Sequence, residues 1–275
     1  MRKIESGMVC FHSTSIGKLK LNDNIRFYEN CTISKGHLSE PQTGDTPAGK
    51  LKIDSDIRFY EDGKIKVCRL SEPQVIDTLT RKLKLNGYIW FYKSGNIKRS
   101  HLSEAQIIGT SAGVLKLNGK IEFHESGKVK KGLLSEIHQI IKTPTRRLKL
   151  CGIIGFHKSG RIRSGFLSEA QAIDSSAGKL KLSGKIEFHE NGKIRRCHFS
   201  EAQTIDTPMG KLKLYGDIWF HKNSGIKIVC LNEELHISGK TFFEESRIGW
   251  NDRGDFLGEM VYDIILDDFV PAKNR

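Results

Sequence analysis

The chain has 275 residues, of which 45 are Lys or Arg and 32 are Asp or Glu, so its formal net charge is +13. Hydrophobic residues account for 37% of it, which excludes a wholly disordered chain. No apolar run approaches the roughly 20 residues of a membrane-spanning helix, and no apolar leader follows the first residues. We therefore expect a cytoplasmic protein without a transmembrane segment. Its positive charge either attracts polyanions or simply keeps a β-rich surface solvated.

From the N terminus onward, the sequence divides into three parts. Residues 1–17 carry a partial, capping copy of a motif, residues 18–245 repeat it about seven times, and residues 246–275 depart from it. The period is 32 residues, with one step of 33 that falls in the loop around residues 142–146. Two markers share this period, a phenylalanine and the apolar residue before a Ser-Glu pair: Phe27, Phe59, Phe91, Phe123, Phe156, Phe188 and Phe220, and Leu38, Leu70, Leu102, Leu134, Leu167, Phe199 and Leu231. Such self-similarity is typical of a repeat array.

Each repeat opens with a pattern that is typical of a β-strand. In the fourth repeat, Leu115, Leu117, Ile121 and Phe123 share one parity, while charged residues take the other. This period of two predicts a half-buried strand. A tight turn at the intervening Asn-Gly pair would mix the two faces, so we predict one continuous strand with a kink at Gly119.

A three-residue loop is expected after this strand. A loop of residues 125–127 places Phe123 opposite the apolar Val129, whereas a two-residue loop opposes Phe123 to a lysine. Three-residue loops hold their last residue in the left-handed region, which favours glycine, and Gly127 fills that place. Cys31 takes the same place in the first repeat, where we predict strain of about 1 kcal/mol or more.

The second strand of the hairpin and the link after it are less regular. Val129 and Leu134 are separated by an odd number of residues, so the strand must bulge or end between them. A short Gln-x-Ile element follows, and then a turn such as residues 46–49, whose proline and glycine fit a type I turn. No helical period appears before residue 245.

These elements predict an all-β tandem array of about seven 32-residue units, folded as an extended, twisted sheet of antiparallel hairpins. The alternative is a β-solenoid with one coil per unit. In a solenoid, equivalent residues stack about 4.8 Å apart. The lysines of the Lys-Leu-Lys-Leu segments would then form an unfavourable ladder of like charge. We therefore favour the hairpin sheet.

The hairpin core, I-x-F-[YH]-x-[SN]-G-x-[IV], resembles the MORN-variant repeat. It stands at residues 121–129 as IEFHESGKV and, with one departure, at residues 57–65 as IRFYEDGKI. The resemblance covers about nine residues in each unit. It implies single-layer hairpin sheets. It also implies a binding role, because some bacterial proteins with such repeats are antitoxin-like and related MORN proteins are linked to membranes or scaffolding.

Repetition turns single residues into columns, and these columns are the candidate sites. An aromatic column suits a protein partner, base stacking or pH sensing, and comprises Tyr28, Tyr60, Tyr92, His124, His157, His189 and His221. A basic column suits phosphate groups, and comprises Lys20, Lys52, Lys84, Lys116, Lys149, Lys181 and Lys213. An acidic column neutralises it if the two are neighbours, and comprises Glu40, Glu72, Glu104, Glu136, Glu169, Glu201 and Glu233. The alternative is that the columns are a solvated surface multiplied by duplication.

Sequence motifs for catalysis, cofactors or metals are scarce. Ser238–Thr241 resembles only the end of a phosphate-binding loop, and Arg253–Asp255 spells an integrin-binding tripeptide without a secretion signal. The six cysteines follow no zinc-binding spacing, so we expect reduced thiols. We predict no catalytic residue, no cofactor and no metal ligand.

These observations favour a non-enzymatic scaffold that presents an extended β surface to a protein partner. The alternative is a polyanion binder, of nucleic acid or an anionic membrane, that uses the basic column. The acidic segment 246–275 is expected to cover the open end of the array or to dock a partner. An enzyme would need its site in that segment.

Overall fold

The computed structural model describes residues 10–22, 25–142, 147–263 and 268–272. It divides into two compact units, Met1–Ser135 and Glu136–Arg275. The described residues form strands and turns without any helix, which confirms the all-β prediction. Accordingly, no helix in these ranges has the length and apolarity of a membrane span. The partial copy predicted at residues 5–9 and the insertion at residues 143–146 lie outside the described residues.

The first unit contains thirteen strands. They are β1 (Cys10–Thr14), β2 (Gly17–Leu21), β3 (Arg26–Phe27), β4 (Ile33–His37), β5 (Gln42–Thr46), β6 (Gly49–Phe59), β7 (Ile65–Leu70), β8 (Gln74–Asp77), β9 (Lys82–Phe91), β10 (Ile97–Leu102), β11 (Gln106–Thr110), β12 (Gly113–Phe123) and β13 (Val129–Leu134).

The second unit contains fourteen strands within its described residues. They are β14 (Gln139–Lys142), β15 (Arg147–Phe156), β16 (Ile162–Leu167), β17 (Gln171–Ser175), β18 (Gly178–Phe188), β19 (Ile194–Phe199), β20 (Gln203–Thr207), β21 (Gly210–Phe220), β22 (Ile226–Leu231), β23 (Leu235–Ile237), β24 (Lys240–Phe242), β25 (Arg247–Trp250), β26 (Phe256–Asp263) and β27 (Asp268–Pro271).

Each repeat is built around one long strand that has three antiparallel neighbours. In the first unit, the second half of β6 pairs with β7, which follows it, and with β4 of the preceding repeat. The first half of β6 pairs with the short link strand β5. In the second unit, β18 pairs in the same way with β19, β16 and β17. Within each unit the repeats are therefore joined as antiparallel hairpins, as predicted, and not as coils of a β-solenoid.

The long strand keeps its apolar side chains on one face although it bends in the middle. In β12, Leu115, Leu117 and Ile121 are fully buried and Phe123 is nearly so. Between the two pairs, Gly119 has a φ of 63° and the register with β13 shifts. In β6 the bend falls on Ser55, with a φ of 58°. The predicted continuous strand with a kink is confirmed.

The hairpin turn has the predicted three-residue loop. The His124 amide donates to the Lys128 carbonyl over 2.8 Å, and the Gly127 amide donates to the His124 carbonyl over 2.9 Å. Phe123 lies opposite Val129, and Gly127 has a φ of 79°. Cys31 occupies this place in the first repeat with a φ of 63°, in the left-handed region, as predicted. Ser224 occupies it in the seventh repeat, with a φ of 84°.

A buried position on the second hairpin strand holds a small residue in the first six repeats and Val229 in the seventh. A Cβ atom on Gly132 would lie 2.7 Å from the Leu117 side chain, and one on Gly36 would lie 2.9 Å from Leu21. The same position is held by Cys68 and Ser100 in the first unit and by Gly165 and Cys197 in the second. Leucine side chains of the neighbouring long strand occupy the space next to this position. The odd spacing of Val129 and Leu134 therefore reflects a bulge, after which Gly132 and Leu134 both face the core.

Beyond residue 245, where the sequence pattern ends, the chain forms one more hairpin of the same kind. The Asn251 amide donates to the Asp255 carbonyl and the Gly254 amide to the Asn251 carbonyl, as in the repeat turns. Trp250 takes the place of the core phenylalanine and is 1% exposed. For residues 260–266 the sequence is compatible with a strand or a short helix; residues 260–263 are strand, and residues 264–266 lie outside the described residues.

Replacing Cys31 with glycine is expected to stabilise the protein by about 1 kcal/mol, because glycine adopts the left-handed region without the steric cost that Cβ imposes. Gly63→Ala is the matched control at the same turn position. Its Cβ would only touch Thr32 at 3.6 Å, so it is expected to lose about 1 kcal/mol through backbone strain. Urea unfolding followed by circular dichroism measures both changes, and an unchanged midpoint for Cys31→Gly would contradict the strain.

Candidate binding surface

The aromatic column lies between repeats, and most of its side chains are hydrogen-bonded to the next repeat. Each bond ends on the main-chain carbonyl of the next core aromatic residue. In the first unit the tyrosine hydroxyls donate, over 2.7–3.0 Å, in the pairs Tyr28–Phe59, Tyr60–Phe91 and Tyr92–Phe123. In the second unit histidine Nε2 donates, over 2.8–3.0 Å, in the pairs His157–Phe188, His189–Phe220 and His221–Trp250. His124 is half-buried like the others.

Tyrosine and histidine are interchangeable here because each supplies one donor at similar reach from the main chain. The bond requires the histidine proton to be on Nε2. Burial lowers the pKa of His189 below its ordinary value of 6.5, and the nearby cations Arg195 and Lys222 lower it further, while the bond to Phe220 raises it in part. The column therefore stabilises the array, and its rings are not freely presented to a ligand.

The basic column lies beside the acidic column, with ion pairs at five positions. The ammonium-to-carboxylate distances are 2.7–3.2 Å in the pairs Lys20–Glu40, Lys52–Glu72, Lys84–Glu104, Lys149–Glu169 and Lys181–Glu201. Lys116 and Lys213 hold the same position on β12 and β21. Because these pairs are exposed, each adds little stability. They nevertheless neutralise much of the positive charge of the basic column, on which the polyanion hypothesis depends.

In five repeats, the glutamine that follows the Ser-Glu pair clamps the preceding long strand, whereas Oε1 of Gln139 is buried without a hydrogen-bond partner among the described residues. The Lys52 amide donates to Oε1 of Gln74 over 2.9 Å, and Nε2 of Gln74 donates to the Lys52 carbonyl over 2.7 Å. The same pair of bonds is made by Gln42, Gln106, Gln171 and Gln203. The side-chain amide stands where the main chain of a neighbouring strand would pair. Sequence reasoning missed this role, although the glutamines share the repeat period.

A second row of cations, also missed, lies on the outer face of the hairpins. It occupies the second position of the second hairpin strand in the second to seventh repeats, where the first repeat has Ser34, and we call it the hairpin cation row: Lys66, Lys98 and Lys130 in the first unit, and Arg163, Arg195 and Lys227 in the second. Lys66 and Lys98 lie over the rings of Tyr60 and Tyr92, at 5.4 and 5.5 Å. Among the described side chains, only Lys227 of this row has an ion pair to a carboxylate within 4.0 Å. The sequence did carry a signal for this row, because its cations recur every 32 residues with a single step of 33.

In the first unit this face carries a tryptophan, which defines the Trp90 site. The Arg99 guanidinium lies 3.8 Å from the centroid of the Trp90 ring, and the Tyr88 ring lies 5.6 Å away. A small pocket of about 140 Å³ opens here, lined by Trp90, Tyr92, Lys98, Arg99, Glu122 and Lys130. Glu122 is itself paired with Lys120 at 2.9 Å. The site is therefore aromatic and positively charged.

The second unit has a corresponding groove of about 630 Å³ around Trp219. Arg196 lies 4.9 Å over the Trp219 ring. The C-terminal strand β27 enters this groove: both Asp268 carboxylate oxygens lie 2.7 Å from the Lys227 Nζ, and Phe269 packs on Trp219 with centroids 5.1 Å apart. Burial raises the pKa of Asp268, but hydrogen bonds from Lys227 and the Phe269 amide outweigh it, so the pKa lies below 3.8.

The remaining candidate motifs lie in ordinary turns. Ser238 and Gly239 form the two-residue turn between β23 and β24 and lead into a strand. Residues 253–255 belong to the turn between β25 and β26. All six cysteines lie outside disulfide bonds, and burial raises the pKa of Cys68 to about 12. Within the described ranges, no group of three His, Cys, Asp or Glu side chains is placed to hold a metal ion.

The fold and these contacts define the molecule as a tandem β-hairpin repeat protein. No protein-family model matches the chain, and none of the curated proteins is detectably similar to it. The resemblance to the MORN-variant repeat therefore stays a prediction that rests on the hairpin motif.

Gln74→Glu is expected to destabilise the protein by about 1–2 kcal/mol, because a carboxylate cannot donate to the Lys52 carbonyl and repels it. Glu72→Gln is the matched control two residues away. It removes only an exposed ion pair and is expected to change stability by less than about 1 kcal/mol. Chemical denaturation of both variants measures the difference, and equal losses would contradict the clamp.

His189→Tyr is expected to remove part of the acid sensitivity while keeping the bond to Phe220, as Tyr60 bonds to Phe91. Because the folded-state pKa of His189 lies below 6.5, the unfolded chain binds the proton more readily. Its contribution to stability is therefore complete above pH 6.5 and declines as the pH falls toward the folded-state pKa. Free energies of unfolding between pH 7.5 and 5 measure the slope. A slope for His189→Tyr equal to that of the parent protein would overturn this prediction.

Proposed function

We propose that the chain is a non-enzymatic repeat scaffold that binds a protein partner on the outer face of its hairpins. The observation that carries this proposal is the hairpin cation row, whose members in the first unit lack carboxylate partners among the described residues and lie next to aromatic rings. Most side chains of the predicted aromatic column bond instead to the next repeat, and five lysines of the basic column are paired with glutamates of their own repeat. Binding chemistry is thus left to the other side chains of the hairpin face.

The geometry of the row supports an extended contact. Equivalent residues of successive repeats are two strands apart, because one hairpin strand lies between two long strands. With strands about 4.8 Å apart, cations recur roughly every 10 Å along each unit. Arginine and tryptophan, both present at the Trp90 site, are enriched where protein interfaces concentrate their binding energy.

A polyanion ligand is the second candidate, and the same row of cations favours it. Lysines and arginines beside Trp90 and Tyr92 combine charge with rings on which bases stack. Nucleic acid binding of this kind weakens steeply as salt rises. A protein interface with an aromatic core depends less on salt.

The double variant Lys66→Glu, Lys98→Glu is expected to lose the partner at least tenfold, because it reverses two charges at the centre of the face. The matched control is Lys50→Glu, Lys82→Glu, from the same two repeats, whose side chains are 80% and 75% exposed at the starts of the long strands β6 and β9. Immobilised full chain is incubated with nuclease-treated extract of its native cells, and bound proteins are identified by mass spectrometry.

A protein that is retained by the parent and the control but lost from the double variant supports the proposal. Equal retention by all three chains contradicts it. Loss of all binding after nuclease treatment, together with steep salt dependence of oligonucleotide binding, assigns the surface to the second candidate.

A further inference from the structure

The C-terminal strand shows which chemistry the hairpin face accepts. In the groove of the second unit, adjacent residues of β27 supply a carboxylate and a ring: Asp268 meets Lys227, and Phe269 meets Trp219. The Phe269 ring approaches Trp219 at 67°, in an edge-on arrangement that aromatic pairs prefer. The Arg196 guanidinium lies over the same tryptophan, so an arginine-covered ring still receives a phenylalanine.

The Trp90 site repeats the same receptor groups in the first unit. Trp90 holds the place in its long strand that Trp219 holds in β21, and Lys98 holds the place of Lys227 in the hairpin strand. Each tryptophan has one arginine on a flanking strand, Arg99 or Arg196. At the Trp90 site these groups border a pocket, and Lys98 has no carboxylate partner among the described residues.

From this equivalence we infer that the Trp90 site binds a protein segment in which an acidic residue is followed directly by an aromatic one, an inference that rests on the proposed function. The carboxylate pairs with Lys98, assisted by Lys130, and the ring packs edge-on against Trp90. The charge is complementary, because three cations line the pocket and its single carboxylate, Glu122, is already held by Lys120.

Nucleic acid fits these groups less well. A base needs an open ring face to stack. Arg99 lies 3.8 Å from the Trp90 centroid and covers one face of that ring. An edge-on phenylalanine needs no such face, as Phe269 shows on Trp219.

The test uses a fluorescently labelled peptide with the sequence of residues 266–272, LDDFVPA, titrated with the full chain. Saturable binding is expected by anisotropy, with a change in tryptophan emission. Trp90→Ala and Lys98→Glu are each expected to weaken binding at least tenfold, whereas Lys82→Glu, at the start of β9, changes it less than twofold. A peptide carrying Phe269→Ala is expected to bind at least tenfold more weakly than the parent peptide.

A second variant keeps the test decisive even if substitutions at Trp90 impair folding. Asp268→Ala, Phe269→Ala in the full chain removes the two contacts of β27 and frees the Trp219 groove. The number of peptides bound per chain is then expected to rise from one to two. Circular dichroism confirms the fold of each variant.

Absence of peptide binding, or binding that Trp90→Ala leaves unchanged, overturns the inference. If the Phe269→Ala peptide binds as tightly as the parent peptide, recognition depends on charge alone and the inference is overturned. Displacement of the peptide by oligothymidylate at equal concentration also overturns the inference. Sedimentation tests whether the chain associates with itself. If it does, and Phe269→Ala abolishes the association, the site binds a second copy of the chain and the choice of a separate partner is overturned. In each of these cases the proposed function is still supported if the parent chain captures a protein that the double variant Lys66→Glu, Lys98→Glu does not.

Discussion

The pairing of main-chain polar groups where one repeat meets the next is the constraint on which the rest of the structure depends. Buried main-chain donors and acceptors must find partners, and a hairpin supplies them only along its own strands. Where the link leaves the sheet, Gln74 and its equivalents bond the long strand through both ends of their amides. At the far end of that strand, Tyr60 or His189 bonds the carbonyl of the next repeat.

This requirement explains why the polar columns that bond to the main chain recur so regularly in the sequence. A residue that bonds the main chain of its neighbour must recur in every repeat. Residues that meet a ligand are free to differ, and on the hairpin face they do: the position of Trp90 is Arg58 in the preceding repeat and Glu122 in the following one. Regular recurrence of these bonding residues thus reflects the contacts that hold the repeats together. Departures from the period, such as Trp90 and Trp219, are positions at which the surface differs from one repeat to another.

The local structure could be predicted from the sequence because it depends on side-chain parity and on backbone conformation. Opposing Phe123 to Val129 fixed the turn, and the turn fixed the left-handed position that Cys31 occupies. The roles of the columns could not be predicted, because they depend on which strand lies alongside, and that is a property of the pairing between repeats. The hairpin cation row escaped notice because Lys98 and its equivalents lie at the bulge, where simple alternation fails. Trp250 and its hairpin were missed because they keep the turn geometry but little of the repeat sequence.

The side-chain bonds to the main chain, both within and between repeats, join residues at constant separations along the chain. Tyr28 to Phe59 and His189 to Phe220 both span 31 positions, and Lys20 to Gln42 and Lys181 to Gln203 both span 22. A duplicated segment therefore carries every donor and acceptor that its neighbours need, and a deleted one leaves none behind. Genes for such a chain can gain or lose whole modules by recombination without compensating substitutions. Array length then becomes a trait on which selection acts directly, and the reach of the molecule can be matched to the size of what it holds.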